Sequence, residues 1–178
     1  MRLPTVRIET PLDHDALSAL YGDRDSFTWA PDGEPRLTVL AFGNEDGPHW
    51  HYVALGARDL CGHELSFRLA AASVDDAAAA PRWPVELLQR LARQSTGADR
   101  PLGDGEYVCF ERALDPDGAV RCVAVVADPQ LPEALQAVGL HEDELPLVSE
   151  DSWRGFLEAL RTRAPLLVTR PRRAPVRL

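Results

Sequence analysis

Residues 63–69 read HELSFRL. Alternation with a period of two does not suit a helix, whose faces repeat every 3.6 residues, and it requires a strand. Leu65, Phe67 and Leu69 fall on one side and Glu64, Ser66 and Arg68 on the other, the pattern of a half-buried strand. Just upstream, GPHWHYVALGARDL (47–60) supplies a second strand over about residues 50–55. If the two pair as a hairpin, Cys61-Gly62 is its turn. Trp50 and Tyr52 then share one side, with His49, His51 and Val53 opposite. An imidazole on an interior face is expected to hydrogen-bond a neighbouring polar group.

Other segments follow the same two periodicities. Thr10-Pro11 has the chemistry of a helix start, and Leu12, Ala16, Leu17, Leu20 and Tyr21 continue it as an apolar stripe that ends at Gly22-Asp23. Residues 36–42, RLTVLAF, read as a strand. The alanine-rich run after Leu69 reads as an exposed connection. PRWPVELLQRLARQS (81–95) is the clearest helix, with Val85, Leu87, Leu88, Leu91 and Ala92 on its apolar side. EYVCFER (106–112) and VRCVAVV (120–126) flank LDPDGA and predict a hairpin. Short helices are expected near 131–138 and 142–146, a longer one over Asp151–Arg163, and a last strand at LLVTR (166–170). Strands joined by hairpins, with helices interspersed, indicate an α+β fold whose sheet is largely antiparallel or mixed and packed with helices.

With 178 residues, 45% of them hydrophobic, a single domain with one core over residues 1–178 is the expectation. The N-terminal segment lacks an unbroken apolar stretch and acquires acids early, and no run approaches the roughly 20 apolar residues of a membrane helix. A cytoplasmic protein that binds no membrane is therefore expected. A formal net charge of -9 disfavours nonspecific nucleic-acid binding. That charge is uneven: residues 151–178 carry seven arginines against Asp151 and Glu158, a local +5 that leaves -14 for the rest. Such a tail grips an acidic partner, or else pairs with acids of its own domain. Three widely spaced cysteines, Cys61, Cys109 and Cys122, argue for neither a disulfide framework nor a zinc site; Cys109 and Cys122 are expected to be buried small apolar residues.

Candidate chemistry is sparse. His49, His51, Cys61 and His63 have metal-ligand side chains, but His51 and Cys61 stand roughly ten residues apart at ~3.3 Å each along the strand, so convergence is not expected. Cys61 and His63 lie too close in a tight turn for the base to face the sulfur, and no Gly-x-Ser-x-Gly elbow or phosphate-binding glycine loop occurs. The chain has no lysine, which rules out a Schiff base. The acidic pairs Asp75-Asp76 and Glu142–Glu144 read as solvated faces or helix starts. No catalytic residue, metal or cofactor is expected.

Several segments in register resemble the suppressor of fused family: Pro48–Tyr52, Gly56–Leu60, Glu64–Arg68, Trp83–Arg93 and Pro165–Arg173, with Leu20-Tyr21 and VGLHEDEL (138–145) also fitting. The resemblance spans about residue 12 to residue 173. It implies an α/β domain without known catalytic activity that works by binding other proteins. Animal members hold a transcription factor through a short peptide that adds a strand, whereas bacterial members resemble immunity proteins that neutralise a toxin encoded nearby. In animal members a long insertion precedes the Glu-Leu-Thr-Phe-Arg strand, where only Cys61, Gly62 and His63 intervene here. The segment Leu131–Val138 is shorter than the family pattern, so the sheet is expected to be trimmed or its edge exposed there.

The leading expectation is thus a non-catalytic immunity protein with a toxin as partner. A regulatory adaptor that captures an extended peptide is the alternative, and a metal-dependent enzyme using His49, His51 and Cys61 comes last. The expected contact surface is the polar face of Asp59, Cys61, His63, Glu64 and Arg68, together with Arg170, Arg172 and Arg173 of the tail.

Overall fold

A computed structural model describes residues 14–22, 24, 26–30, 37–75, 80–94, 102–116, 118–148 and 152–176. The expected cap at Thr10-Pro11 lies outside the described residues, and helix α1 is described as His14–Tyr21. Strands β1 (Phe27–Trp29), β2 (Thr38–Asn44), β3 (His49–Leu55) and β4 (Glu64–Ala70) form an antiparallel meander. Between β3 and β4 sits a four-residue helical turn, α2 (Arg58–Cys61). Gly62 ends it at φ 89°, a left-handed conformation that glycine adopts without steric cost.

Helix α3 (Trp83–Gln94) then leads to β5 (Glu106–Cys109), β6 (Cys122–Ala127) and β7 (Ala134–Leu140). A short 3-10 helix covers Glu142–Val148, and α4 covers Trp153–Arg163. The seven strands make one sheet in the order β1-β2-β3-β4-β7-β6-β5, antiparallel throughout except for the parallel pair β4–β7. The expected α+β class and mixed sheet are what the structure shows.

Both faces of the sheet are covered. On one, Val85, Leu87, Leu88, Leu91 and Ala92 of α3 pack on Trp50, Tyr52, Leu65, Phe67 and Val125. Each fully buried leucine there stabilises the fold by roughly 1.5–3 kcal/mol. On the other face lie two smaller clusters. Leu17 and Tyr21 of α1 pack against Phe42, Val53 and Leu131, with the Tyr21 and Phe42 rings stacked at 4.1 Å. Phe156 and Leu160 of α4 pack against Val126, Val138 and Leu167.

Four expectations need correction. β4 is buried on both faces, because it is a central strand with helices or connections on either side rather than the wall of a solvated sheet. Residues 131–138 form no helix and no exposed edge: most of them belong to β7, which is buried along its whole length and paired on both sides. A strand enclosed in this way loses its alternation, and packing overrides the helical leaning of Ala, Leu and Gln. LLVTR touches the sheet through one bridge, Leu69 to Thr169, and Leu167 at φ 52° interrupts the extended backbone. Finally, Cys109 and Cys122 are not buried thiols but a disulfide between directly opposed residues of β5 and β6. β1 was not expected at all.

Candidate functional site

The largest fully buried side chain is charged. Arg68, from the polar side of β4, has no exposed surface and faces the seam between the α1 and α4 clusters. Its guanidinium donates two parallel hydrogen bonds to Asp128, at 2.9 and 3.0 Å, and further ones to the side-chain oxygens of Gln136 and Gln130. Asp128, just beyond β6, also accepts the Ser66 hydroxyl and the backbone N–H groups of Gln130 and Leu131. Burial alone would raise the Asp128 carboxyl. The hydrogen bonds and charge of Arg68, with the His51 imidazole close by, outweigh that effect and hold it well below the usual carboxylate range.

His51 lies opposite Arg68 in the β3–β4 register, with Nε2 3.6 Å from Asp128. Burial pushes its pKa down to about 4, and burial likewise pushes Tyr21 up to about 12, so both are neutral near pH 7. Their contact is a hydrogen bond between the Tyr21 hydroxyl and Nδ1 of a neutral imidazole. The chain Tyr21–His51–Asp128–Arg68 has the residue types of a proton relay but no open face. It is a closed polar core. His49, the other imidazole of the pair, donates from Nδ1 to the Gly47 carbonyl at 2.8 Å and is also buried.

The polar core continues into the C-terminal segment. Gln136 donates to the carbonyls of Leu166 and Leu167, at 3.1 and 3.0 Å, across the left-handed residue. Thr169 donates its N–H to Arg68 O, accepts the N–H of Ala70, and takes the N–H of Gly139 on its hydroxyl at 2.9 Å. A β-carbon on Gly139 would lie 2.6 Å from Thr169 Cγ2, so glycine is what allows this approach. Farther along, buried Glu144 receives both terminal nitrogens of Arg173 and the N–H groups of His141 and Val176.

The residues expected to form a contact surface fall at the two ends of β4. At one end Asp59 is exposed and His63 half-buried, while Cys61 is buried with its thiol donating to the carbonyls of Ala57 and His63. Burial raises the Cys61 thiol, which opposes its use as a nucleophile. Glu64 is also buried and accepts the Ala57 N–H at 3.0 Å, holding the start of α2. Neither Glu64 nor Arg68 presents side-chain surface to a partner. That corrects the expectation of an exposed polar strand face; the two acts of pairing lie with Ala57 and Asp128. At the other end, beyond Ala70, Arg170 and Arg172 are exposed and Arg173 is occupied by Glu144.

Around that second end lies a surface cleft of about 480 Å3, between Leu69 and Ala70 of β4, Trp83 of α3, Pro116 and the arginine segment. Among the described residues no three His, Cys, Asp or Glu side chains converge as a metal site. His49 and His51 are engaged near one end of β3, and Cys61 follows its other end. No helix among the described residues is long and apolar enough to cross a membrane.

The family model for suppressor of fused proteins matches residues 33–174. The chain belongs to this family. Suppressor of fused homologues of Homo sapiens and Mus musculus are each 29% identical over 182 residues, covering 82% of this chain. The chain spans 37% of the length of these curated relatives. The crystal structure of a suppressor of fused homologue from Neisseria gonorrhoeae FA 1090 superposes with a TM-score of 0.69 at 18% identity, covering 90% of this chain and 92% of that one. This likeness is one of fold. The segments that carry the family resemblance supply His51, Arg68, Glu144, Thr169 and Arg173, and all of them build the interior scaffold described above. Asp128 and Gln136 were missed in the sequence, although each is a lone polar residue beside or within an apolar run, VAVVAD and ALQAVGL.

Proposed function

We propose that this domain acts by binding another protein, without catalysis of its own, and that in its bacterial role it is an immunity protein that occludes a toxin encoded nearby. The observation that carries the reading is the disposition of the reactive side chains. Tyr21, His51, Asp128 and Cys61 are closed into the core, and along the sequence the formal charge divides unevenly, with +5 in residues 151–178 against -14 elsewhere. An acidic body suits a basic partner such as a nuclease toxin, because complementary charge speeds encounter. A tagged pull-down from the native lysate tests this: one stoichiometric partner encoded beside the gene supports it, and association that does not slow as salt rises counts against the electrostatic part.

A second reading, an adaptor for an extended peptide, is favoured by the sheet edges. β1 and β5 end the sheet and carry the exposed Phe27 and Tyr107, 36% and 53% accessible. A peptide array separates the two readings, since short linear epitopes bind an adaptor but not an inhibitor that reads a folded toxin. A cytoplasmic address belongs to the immunity reading, with the Cys109–Cys122 bond as a condition on it, because disulfides persist chiefly in oxidising compartments. Trapping thiols at the moment of lysis reports which form the cell holds.

A further inference from the structure

The disulfide between β5 and β6 lies where a reductant reaches it and where its loss acts locally. Cys109 is exposed on the edge strand, whereas Cys122, directly opposite on β6, is buried in the α4 cluster. Thiol–disulfide exchange needs a thiolate to reach one of the two sulfurs, and access decides which one. Here it is that of Cys109. Cys61 does not compete, because it is buried in the α3 cluster on the opposite face of the sheet. β5 itself is lightly held. It pairs on one side only, through four residues, and none of the four is fully buried, whereas β3 and β7 are buried along their whole length. Beyond the ladder the hairpin continues with two backbone hydrogen bonds, Phe110 N–H to Arg121 O at 2.9 Å and Leu114 N–H to Val120 O at 3.0 Å, the first of them next to the disulfide. With a sequence separation of 13, the bond constrains this hairpin rather than the whole chain.

We propose that Cys109–Cys122 is a reversible redox site, reduced from the Cys109 side by a dithiol, and that its state sets the order of the β5 edge. A thiolate of the reductant bonds to Cys109 Sγ. The bond between the two cysteines breaks, and its electron pair leaves on Cys122 Sγ, which takes a proton from water. The second thiol of the reductant, as its thiolate, then displaces Cys109 Sγ, which is protonated in turn. Two protein thiols have formed and the dithiol has become a disulfide. A small disulfide drives the same steps in reverse, and the four backbone pairs of β5 with β6 return the two sulfurs to opposite positions. In the oxidised state the edge that carries exposed Tyr107 is fastened to the buried sheet. In the reduced state that edge and the turn beyond it loosen, while the interior strands stay in place. The inference holds whichever protein the domain binds.

The test uses the full wild-type chain with dithiothreitol as the dithiol, so no variant has to fold. Maleimide trapping with mass analysis follows the reduction. Its rate is expected to rise in proportion to dithiothreitol and to stay level in urea below the unfolding transition. A rate that climbs with urea as steeply as global unfolding overturns the proposal, because the bond then opens only in the unfolded chain. Hydrogen exchange by NMR reads the edge. In the reduced chain the Phe110 and Leu114 amides are expected to exchange faster by about tenfold or more, beyond any change in the amides of β3 and β4. An equal change in all of them, or none, overturns the proposal, since the bond is then a general staple or idle. Glutathione disulfide is expected to restore the slow exchange, and failure to do so overturns reversibility. No partner enters the experiment, so its outcome and that of the pull-down are independent.

Discussion

Arg68→Met is the sharpest probe of the scaffold. The substitution keeps an unbranched apolar stem in place and removes the guanidinium that makes two hydrogen bonds to Asp128 and one each to Gln130 and Gln136. What remains is a buried carboxylate held by the Ser66 hydroxyl and two backbone N–H groups, with no cation beside it. Removing one partner of a buried ion pair costs about 3–5 kcal/mol. Against a total of about 5–15 kcal/mol for a domain, the variant folds but loses a large share of its stability. Urea unfolding followed by tryptophan fluorescence measures the loss.

The pH dependence makes that test specific. In the wild type the Asp128 carboxyl titrates below its ordinary 3.8, so its contribution is complete above that value and vanishes only as pH falls further. Without the guanidinium, burial, the largest single influence on this carboxyl, is no longer offset by the Arg68 charge, and its folded-state pKa rises above the unfolded value. The folded variant then takes up a proton before the unfolded chain does and recovers stability as pH falls. Its deficit relative to wild type is expected to shrink by about 1 kcal/mol or more between about pH 7.5 and pH 5. The double variant Arg68→Met/Asp128→Asn recovers part of the loss at both pH values, because the amide oxygen still accepts from Gln130 and Leu131 and no charge stays buried. A deficit below about 1 kcal/mol, or one that does not change with pH, refutes the buried-pair account.

Three further outcomes follow from the same geometry. His51 falls from 6.5 to about 4 on folding, so the unfolded chain binds its proton first; stability is complete above 6.5 and drops by about 3 kcal/mol as pH falls to 4, and His51→Gln flattens that slope in a pH series of urea midpoints. Gly139→Ala drives a methyl into Thr169 Cγ2 and costs about 1–3 kcal/mol, while adding Thr169→Ser removes the colliding methyl, keeps the hydroxyl, and restores most of the loss in thermal unfolding. Cys109→Ala/Cys122→Ala costs about 2–3 kcal/mol, and a thiol assay on the denatured, unreduced wild type finds one free cysteine, Cys61, against three after reduction.

How much of this was readable in the chain differs from element to element. The α3 stripe and the alternations of β3 and β4 were readable because each is a local pattern, settled within a dozen residues. The burial of Arg68 was not, because HELSFRL alternates identically whether its polar side meets water or a buried acid. What decides between them is Asp128, 60 residues away. β7 was misread for a related reason: ALQAVGL has no period, and only its two neighbours make it a strand. The disulfide was closer to hand. A hairpin folded about LDPDGA sets residues 109 and 122 opposite each other, so register, rather than a cysteine motif, was the available signal.

The same division separates scaffold from function. The segments that identify the family place Arg68, Thr169, Glu144 and Arg173 where they hold β4, β7 and the C-terminal segment together, and those side chains have little or no surface left for a partner. A signature made of buried ion pairs specifies a shape, because each pair is costly unless every donor and acceptor finds its place. It does not specify what the shape binds. Whatever distinguishes this chain's partner from that of another family member is expected among the residues the scaffold leaves outside, such as Phe27 and Tyr107 on the two edges of the sheet. Substitutions at exposed Phe27 and Tyr107 are expected to alter binding with little change in stability, and those in the polar core the reverse, as read by paired binding and urea-unfolding measurements.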